Sequence, residues 1–570
     1  MFDTVIKGGS VIDGTGSAAF TADIGILGGK IVEVGRISAP ADKVIDADGL
    51  SVTPGWVDIH THYDCQATWD PVLDPSFSSG VTTTLMGNCG IGVAPAKPED
   101  REWLIELMEG VEDVPAAAIR AGMHWNWNSF AEFIDALDAV PRAFDIGCMV
   151  PHGPLRRWAL GERAATEKNA RGEDLARMTA QLEEGMVAGA FGLTTSRTAV
   201  HRTTKGEKTA DFQVKEDEIR ALAQVVKRND GHFQLVPPGI LGEDLDGLKA
   251  DMDMMEGIVA DTGVNFHMLM FQVPPAPESY LEQIALIDRM SSKVRATAEF
   301  GGRSAGAILG FFGANPFRLT PTFQEVTRLP KSQWLAELAK SEVRSRILSE
   351  KNPEGTIAAL QDENVHRMYD LGDDTDFEPG PERSFAALAA QAGKPVREFA
   401  YDFLLANSVN PRTYSAYTNY NSGNLDAVYD ALERPNVVLS ASDAGAHVLT
   451  VCDGAVNTFM LTHWVRDRKR GPRIPIEKAV HWMSQKPALS IGLTDRGVLA
   501  PGMKANINIF DLDDLKINPP EYVNDLPGGS PRLATPVTGY RATMVSGVLT
   551  REHDRDTSAR PGRVVRRGRH

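Results

Sequence analysis

The stretch Gly55-Trp56-Val57-Asp58-Ile59-His60-Thr61-His62-Tyr63-Asp64 decides how the rest of this sequence is interpreted. It reads as an apolar strand that ends in His-x-His. Side chains two residues apart on a strand point to the same face, so His60 and His62 aim at one spot past the strand's carboxyl end. Two converging imidazoles offer nitrogen ligands to a divalent cation. Surface or core histidines are the alternative, but the flanking aspartates favour a metal site.

Apolar runs alternate with longer helical patterns downstream of this stretch. Candidate strands are 52–59, 81–86, 146–150, 190–195, 232–236, 264–271, 294–300 and 437–442, and clear helical patterns cover 177–188 and 216–228. Alternating strands and helices indicate parallel βαβ units. Eight such strands predict an α/β fold of the (β/α)₈ type, a TIM barrel, whose active site lies at the carboxyl ends of the strands. His-x-His sits at such an end.

The two ends of the chain have a different sequence pattern, in which short strands alternate with Gly-rich turns. This pattern is typical of a small β-sandwich. We therefore predict four parts. Residues 1–50 plus 495–550 form the sandwich, 51–310 plus 436–494 form the barrel, 311–435 form a helical insertion before the last barrel strand, and 551–570 form a basic tail. The insertion, with helical segments at 333–351 and 395–406, is either a lid over the site or packing decoration.

Composition excludes several classes of function. The chain has 570 residues and a net charge of −17, so it has no general electrostatic reason to bind nucleic acid or an anionic membrane. No run of eighteen apolar residues occurs, and four cysteines are too few for a disulfide framework. We expect a cytoplasmic protein. Seven arginines between Arg551 and Arg569 favour a solvated tail over an interaction arm.

Several motifs together resemble the amidohydrolase superfamily and, within it, the N-acyl-D-amino-acid deacylase (D-aminoacylase) family. They are Thr53-Pro-Gly-Trp-Val-Asp-Ile-His-Thr-His62, Gly80-Val-Thr-Thr-Thr84, Gly87-Asn-Cys-Gly90, Pro151-His-Gly-Pro-Leu-Arg156, Ser442-Asp443 and Gly497-Val-Leu-Ala-Pro-Gly-Met-Lys-Ala505. The resemblance implies a metal-dependent hydrolase in a distorted barrel with a small β-sandwich. It makes His60 and His62 metal ligands, Cys89 a ligand or bridge between metals, and Asp443 both a ligand and the group that handles the proton.

The sequence departs from the family on the fifth and sixth strands, where the family supplies two more histidine ligands. Leu235 and Val236 stand near the first of these positions, and methionine or leucine stands at the second. His232 and His267 lie earlier in their strands, so we interpret them as core or pocket histidines rather than ligands. The resulting prediction is one metal ion, zinc by default, held by His60, His62 and Asp443. Cys89 is either the fourth ligand or a small buried apolar side chain.

The family's clamp for a substrate carboxylate is also missing. Phe271-Gln272 replaces its lysine, so the pocket is expected to be more apolar. Arg197, Lys205 and Arg303 could substitute, although solvent exposure is the favoured interpretation. His152 and Arg156 either shape the pocket or pair with a neighbour, and His447 is a candidate to orient Asp443 or bind metal. The substrate-binding residues stay unknown from sequence.

The leading hypothesis is an amidohydrolase that cleaves a C–N amide bond with metal-activated water, Asp443 serving as base and acid. The substrate is a small N-acyl amino acid or a more apolar amide. Hydrolysis of a lactone or cyclic amide on the same site is an alternative, since the same chemistry attacks all of them. A non-catalytic scaffold that lost its metal is the other alternative. Exposed faces of the insertion are candidates for a homo-oligomer interface.

Overall fold

The computed structural model describes residues 1–354, 356–440, 442–450 and 453–568 of the chain. Three cysteines in these residues are buried free thiols, and Cys452 lies outside them. In the described part of the chain, no helix combines the length and apolar character that a membrane crossing needs.

Strands from both ends of the chain share one nine-stranded sheet. The amino-terminal strands are Phe2–Val11, Phe20–Leu27, Lys30–Gly35, Ala41–Asp46 and Ser51–Pro54, and the carboxyl-terminal strands are Ile507–Phe510, Tyr540–Val545, Val548–Glu552 and Arg555–Asp556. The two groups join where Val52 pairs antiparallel with Ile509. Alternate side chains pack into one apolar core that includes Ile6, Ile24 and Ile507. Two further antiparallel strand pairs lie outside this sheet. Lys516–Ile517 pairs with Val537–Thr538, and Glu521–Leu526 pairs with Ser530–Ala534.

Eight parallel strands carry the candidate site, and each of them overlaps one of the eight strands predicted from sequence. In chain order they are Trp56–Thr61, Val81–Met86, Asp145–Cys148 (continuing as Val150–Pro151), Gly192–Ser196, His232–Val236, Asn265–Leu269, Ala296–Phe300 and Val437–Leu439. The first three form one sheet, and the continuation of the third through the eighth forms a six-stranded sheet. A parallel bridge between Thr61 and Ala444 joins the first strand to the segment that follows the eighth.

The interpretation of 52–59 as one strand is wrong, because two strands occupy that region. Ser51–Pro54 belongs to the nine-stranded sheet and Trp56–Thr61 to the parallel strands. Gly55 lies between them, and a Cβ there would come within 2.2 Å of the Thr82 side chain. The close approach of Thr82 therefore requires glycine at the point where the chain changes sheets.

Helices connect the parallel strands and cover them. Those before the seventh strand are Arg101–Glu112, Ala116–Gly122, Phe130–Asp138, His152–Leu160, Glu173–Ala188, Glu216–Arg228, Leu245–Thr262 and Ser279–Ser291. Asp426–Leu432 precedes the eighth strand; Val456–Phe459, the π-helix Met460–Asp467, Ile476–Met483 and Gln485–Ser490 follow it. The helix predicted at 216–228 has the expected ends, and the one predicted at 177–188 begins four residues earlier, at Glu173.

The segment between the seventh and eighth strands has its own small sheet and its own core. Its strands are Gly306–Leu309, Met368–Asp370 and Thr413–Ala416, and its helices are Pro321–Val326, Trp334–Leu338, Ser341–Ser349, Ile357–Glu363, Phe385–Gln391 and Val396–Ala406. The core includes Phe311, Phe317 and Tyr401. The single helix predicted at 333–351 is wrong, since the extended backbone of Lys340 (φ −68°, ψ 132°) divides it in two.

The expectation of a solvated carboxyl-terminal tail is also wrong. The Val565 N–H donates to Ile146 O at 2.7 Å, at the start of the third parallel strand, and the Val565 side chain is only 7% exposed. Arg566 pairs with Asp135 at 2.7 Å. Asp135 lies more than 400 residues before Arg566 in sequence, so the arginine-rich composition alone did not indicate this pair.

We expect Val565→Asp to lower the free energy of unfolding by about 2–4 kcal/mol, because the new carboxylate would be buried without a partner. Arg566→Ala is the matched control on the adjacent residue. It removes ion pairs to the exposed Asp135 and Asp138 and a hydrogen bond to Ala188 O, and it should cost about 1 kcal/mol. Urea midpoints measure both changes. Equal, small effects would mean that the tail does not pack in solution.

Candidate metal centre

Three potential ligands converge at the carboxyl ends of the first two parallel strands. His60, His62 and Cys89 are buried, and each offers a donor atom within 4.8 Å of the others. His60 Nε2 lies 3.1 Å from Cys89 Sγ. The two histidines reach the same spot because they are two residues apart on one extended segment, as the sequence predicted.

Asp443, which follows the eighth strand, adds an oxygen donor to this group. Its Oδ1 atom lies 3.4 Å from His60 Nε2 and 3.8 Å from His62 Nε2. The Asp443 side chain is 19% exposed, whereas those of His60 and His62 are 0% and 3% exposed. Asp443 therefore lies on the solvent side of the group.

Two of the four donors come from residues with left-handed backbone, Cys89 at φ 57° and Asp443 at φ 46°. Non-glycine residues adopt this conformation at a cost and often do so at functional sites. Glycines on both sides of Cys89 permit its turn. A Cβ on Gly87 would come within 2.2 Å of Met149 O, and one on Gly90 would come within 2.3 Å of Asp211 Oδ2.

The shifted pKa values of the donor residues couple cation binding at this group to proton release. Burial works against a charge on His60, but Cys89 and Glu299 beside it raise its pKa well above the usual value. Burial raises the pKa of the Cys89 thiol to about 12. Burial and the neighbouring His60 together lower the pKa of His62. A cation that binds here must displace protons from His60 and Cys89, so binding is coupled to pH.

The geometry of the donors fits a divalent ion. Tetrahedral coordination with zinc–ligand bonds of roughly 2.0–2.3 Å places neighbouring donor atoms about 3.3–3.8 Å apart. Three of the six separations here are 3.1, 3.4 and 3.8 Å, and those among His60, His62 and Cys89 do not exceed 4.8 Å. The set of two nitrogens, one sulfur and one oxygen also suits zinc.

Carboxylates stand behind both histidines, and the sequence interpretation missed them. His60 Nδ1 hydrogen-bonds to Glu299 Oε2 at 2.6 Å. His62 Nδ1 lies 3.3 Å from Glu112 Oε1 without hydrogen-bond geometry. Burial raises the pKa of Glu299, but hydrogen bonds from His267 and His60 outweigh that effect and hold it below its usual range. A lone carboxylate in the apolar run Ala296–Phe300 was the available signal.

Polar side chains of the fifth and sixth strands lie beside the donor group. Gln234 of the fifth strand accepts a hydrogen bond from Cys89 N–H at 3.0 Å. His267 Nδ1 bonds to Glu299 Oε1 at 3.2 Å, and the His232 ring packs edge-on against His267, 4.9 Å between centroids. Gln234 is two residues after His232 and therefore on the same face of its strand, a periodicity visible in the sequence.

Other candidate residues have partners of their own. Arg197 pairs with Asp251, and Arg303 pairs with Asp453 and lies over the Phe377 ring, so the expectation that these arginines face solvent is wrong. Lys205 is exposed and pairs with Glu106 at 2.6 Å.

His447 also lies near the group, but its nearest acidic atom is not Asp443. It has left-handed backbone, φ 46°, and its Nδ1 atom is 4.0 Å from Asp113 Oδ2. Thr450 on the same loop donates to Asp113 at 3.0 Å. This loop is therefore attached to the end of the helix Arg101–Glu112, which also carries Glu112.

His152 and Arg156 pair with a buried neighbour. Glu218 accepts from Arg156 Nε at 2.8 Å and lies 3.1 Å from His152 Nε2. Burial raises the pKa of Glu218, but these two partners outweigh it and lower the pKa to about 2. Glu218 thereby connects the helix His152–Leu160 to the helix Glu216–Arg228.

Comparison with known proteins shows the same family over nearly the whole chain. The amidohydrolase family model matches residues 43–551. An uncharacterized protein of Mycobacterium tuberculosis (strain ATCC 25618 / H37Rv) is 35% identical over 579 residues, covering 96% of this chain and 89% of that protein. N-acyl-D-aspartate deacylase of Alcaligenes xylosoxydans xylosoxydans is 26% identical over 576 residues, covering 99% and 95%.

Solved structures show the same fold. D-aminoacylase, described with a binuclear metal centre, has a TM-score of 0.65 and 22% identity, with 100% of both chains covered. N-acyl-D-glutamate deacylase of Bordetella bronchiseptica, complexed with zinc and a phosphonate inhibitor, has a TM-score of 0.65 and 22% identity, with 99% of both chains covered.

The chain therefore belongs to the amidohydrolase family. Within that superfamily it is D-aminoacylase-like, as its motifs indicated, and it is a hydrolase that acts on carbon–nitrogen bonds other than peptide bonds.

The lowered pKa of Glu218 predicts how its contribution to stability depends on pH. A carboxylate whose pKa falls on folding stabilises the protein above its unfolded pKa, and this is lost as pH falls from about 4.5 toward about 2. Glu218→Gln should cost about 3 kcal/mol or more at neutral pH, because Arg156 stays buried without its charge partner. The cost should shrink as the pH is lowered through that window.

Chemical denaturation of wild type and variant between pH 7 and about 2.5 measures this difference. Glu216→Gln is the matched control, since Glu216 lies on the same helix and makes an exposed pair with Arg220. Its effect should stay below about 1 kcal/mol at all pH values. A Glu218→Gln cost that does not change with pH would contradict the assigned ionisation.

Proposed function

We propose that this protein hydrolyses the amide bond of an N-acyl amino acid or a related, more apolar amide, with one zinc ion held by His60, His62, Cys89 and Asp443. The convergence of two imidazole nitrogens, a thiol and a carboxylate on one spot carries the proposal. The relatives that are deacylases of N-acyl amino acids support the bond type.

The chemistry at this site divides between the ion and Asp443. A bound divalent ion supplies a water whose pKa is lowered to about 7 and polarises the scissile carbonyl. Asp443 accepts the proton of the attacking water and passes it to the leaving nitrogen. Its position supports this role, because its Oδ1 atom lies 3.4 Å from His60 Nε2 and its side chain is 19% exposed to solvent. His60 and His62 are enclosed and serve only to bind.

The proposal of one ion rests on the fifth and sixth strands. Gln234 and Glu299 fill the space beside Cys89 with a hydrogen-bonded pair, 3.2 Å between Nε2 and Oε2. His267 of the sixth strand bonds to Glu299, and Gln234 of the fifth strand bonds to Glu299 and to the Cys89 N–H, which supports a site without a second set of histidine ligands. D-aminoacylase, by contrast, is described with a binuclear centre.

A more apolar substrate than a free N-acyl-D-amino acid is supported by the residues at the missing clamp. Phe271 stands near the position of the family's lysine, and Gln272 bonds to Asn419 and Asn421 of the insertion through its backbone and side chain. Neither residue supplies a positive charge for a substrate carboxylate.

The architecture proposed for the eight parallel strands is a distorted (β/α)₈ barrel beside a small β-sandwich. The pairing order of the strands and the bridge from Thr61 to Ala444 support the closure of these strands into a barrel. The fold shared with D-aminoacylase supports it further.

Elemental analysis tests the metal site directly. The wild-type protein should contain about one equivalent of zinc per chain, and His60→Ala/His62→Ala should contain none, because the double variant removes both nitrogen ligands. His124→Ala/His553→Ala, which removes two exposed histidines, is the matched control and should keep the metal. Two equivalents in the wild type would refute the single-ion proposal, and none would refute metal dependence.

Asp443→Asn should lower kcat/KM by about 10²–10⁴-fold, because the amide cannot take the proton. A panel of N-acyl-D- and N-acyl-L-amino acids, apolar N-acyl amides, a lactone and a cyclic amide identifies the bond. Asp426→Asn, which alters an aspartate paired with Arg468, is the control and should keep full activity. Unchanged turnover by Asp443→Asn would exclude the assigned base, and turnover of the lactone alone would replace the amide.

A further inference from the structure

Glu299 is the centre of a buried hydrogen-bond network beneath the metal centre. Its Oε2 atom accepts from His60 Nδ1 at 2.6 Å and from Gln234 Nε2 at 3.2 Å. Its Oε1 atom lies 3.2 Å from His267 Nδ1. The carboxylate is 2% exposed, so these contacts from three other strands replace its solvation.

This network decides which nitrogen of His60 is free to bind a cation. A neutral imidazole carries its proton on one nitrogen and a lone pair on the other. The short contact to Glu299 holds the proton on Nδ1, so the lone pair of Nε2 points to Cys89 Sγ and Asp443 Oδ1, 3.1 and 3.4 Å away. Carboxylates that act this way orient a metal-binding histidine and increase its basicity.

The same network reaches the second ligand through Gln234. Its Nε2 donates to Glu299, while its Oε1 accepts from the Cys89 N–H at 3.0 Å. Cys89 has left-handed backbone, which needs support from its surroundings. Glu299 and Gln234 thus fix two ligands that come from different strands.

Two other buried glutamates of the chain show what is particular to Glu299. Glu218 and Glu378 each bond to a histidine and to an arginine, Arg156 and Arg468 respectively. Among the described residues, no arginine or lysine bonds to Glu299. Its partners are two histidines, an amide and a hydroxyl, so its hydrogen bonds to His267 and His60 are the main compensation for its burial.

We propose that Glu299 is a positioning residue of the metal centre, which holds His60 in the tautomer that binds the ion and, through Gln234, fixes the backbone of Cys89. Glu299 acts without touching the ion or the substrate. This inference rests on the proposed function, because it assumes that His60 and Cys89 bind a metal.

The test is the metal affinity of Glu299→Gln, measured by competition with a chromogenic chelator. A glutamine can accept a hydrogen bond on one side only, so either His60 or His267 loses its acceptor. The affinity for zinc should fall about 10–100-fold. The cobalt-substituted variant should also show shifted d–d and sulfur-to-metal charge-transfer bands, which report the geometry of His60 and Cys89. Glu299→Asp, which keeps the charge, should recover part of the affinity.

Glu378→Gln is the matched control. It makes the same chemical change in a glutamate that is 1% exposed and bonded to His463 at 2.7 Å, away from the metal centre. It should lower stability while zinc affinity and the cobalt spectrum stay as in the wild type. Gln234→Leu provides a second variant, which decides the question if Glu299→Gln does not fold. It should weaken zinc binding several-fold and shift the charge-transfer band of Cys89.

Wild-type zinc affinity and cobalt spectra in both Glu299→Gln and Gln234→Leu would overturn the inference and leave the proposed function intact. An equal loss of affinity in Glu378→Gln would also overturn it, since the effect would then be general loosening. A wild-type protein that binds no ion would overturn the proposed function together with this inference.

Discussion

The hydrogen bond from the His62 N–H to Ala444 O, 2.8 Å long, is the contact on which the site depends. It joins the end of the first parallel strand to the loop after the eighth, although nearly four hundred residues separate them. The same contact sets the side chains of His60 and His62 against that of Asp443. Backbone pairing between the first and last strands thus creates a donor group that no local segment contains.

Buried carboxylates lie behind the two histidines of the candidate metal site. Glu299 stands behind His60, and Glu112 stands behind His62 at the end of a helix that also holds the loop of His447 through Asp113. Burying these carboxylates costs free energy unless nearby groups compensate. Here the nearby groups are His60, 2.6 Å from Glu299, and His62, 3.3 Å from Glu112. The contacts that stabilise these buried carboxylates therefore also position the side chains of the proposed ligands.

Sequence reasoning located the eight strands and the four residues of the donor group, because these signals are local. His-x-His, the apolar runs and the glycines around Cys89 can each be recognised in a short stretch of contiguous sequence. Gln234 and Glu299 were missed because their meaning depends on how five strands align, which is set by tertiary pairing. The arginines near the carboxyl terminus were misread for the same reason, since their partners Asp135 and Asp230 are distant in sequence.

The nine-stranded sheet, built from strands at both ends of the chain, has a consequence for biosynthesis. Ser51–Pro54 cannot pair with Ile507–Phe510 until more than four hundred intervening residues have left the ribosome. Contacts this distant in sequence form slowly, and unpaired strand edges expose apolar surface meanwhile. The amino-terminal strands, which include Ile6 and Ile24 of the shared core, therefore lack their carboxyl-terminal neighbours until residues 507–510 have been synthesised.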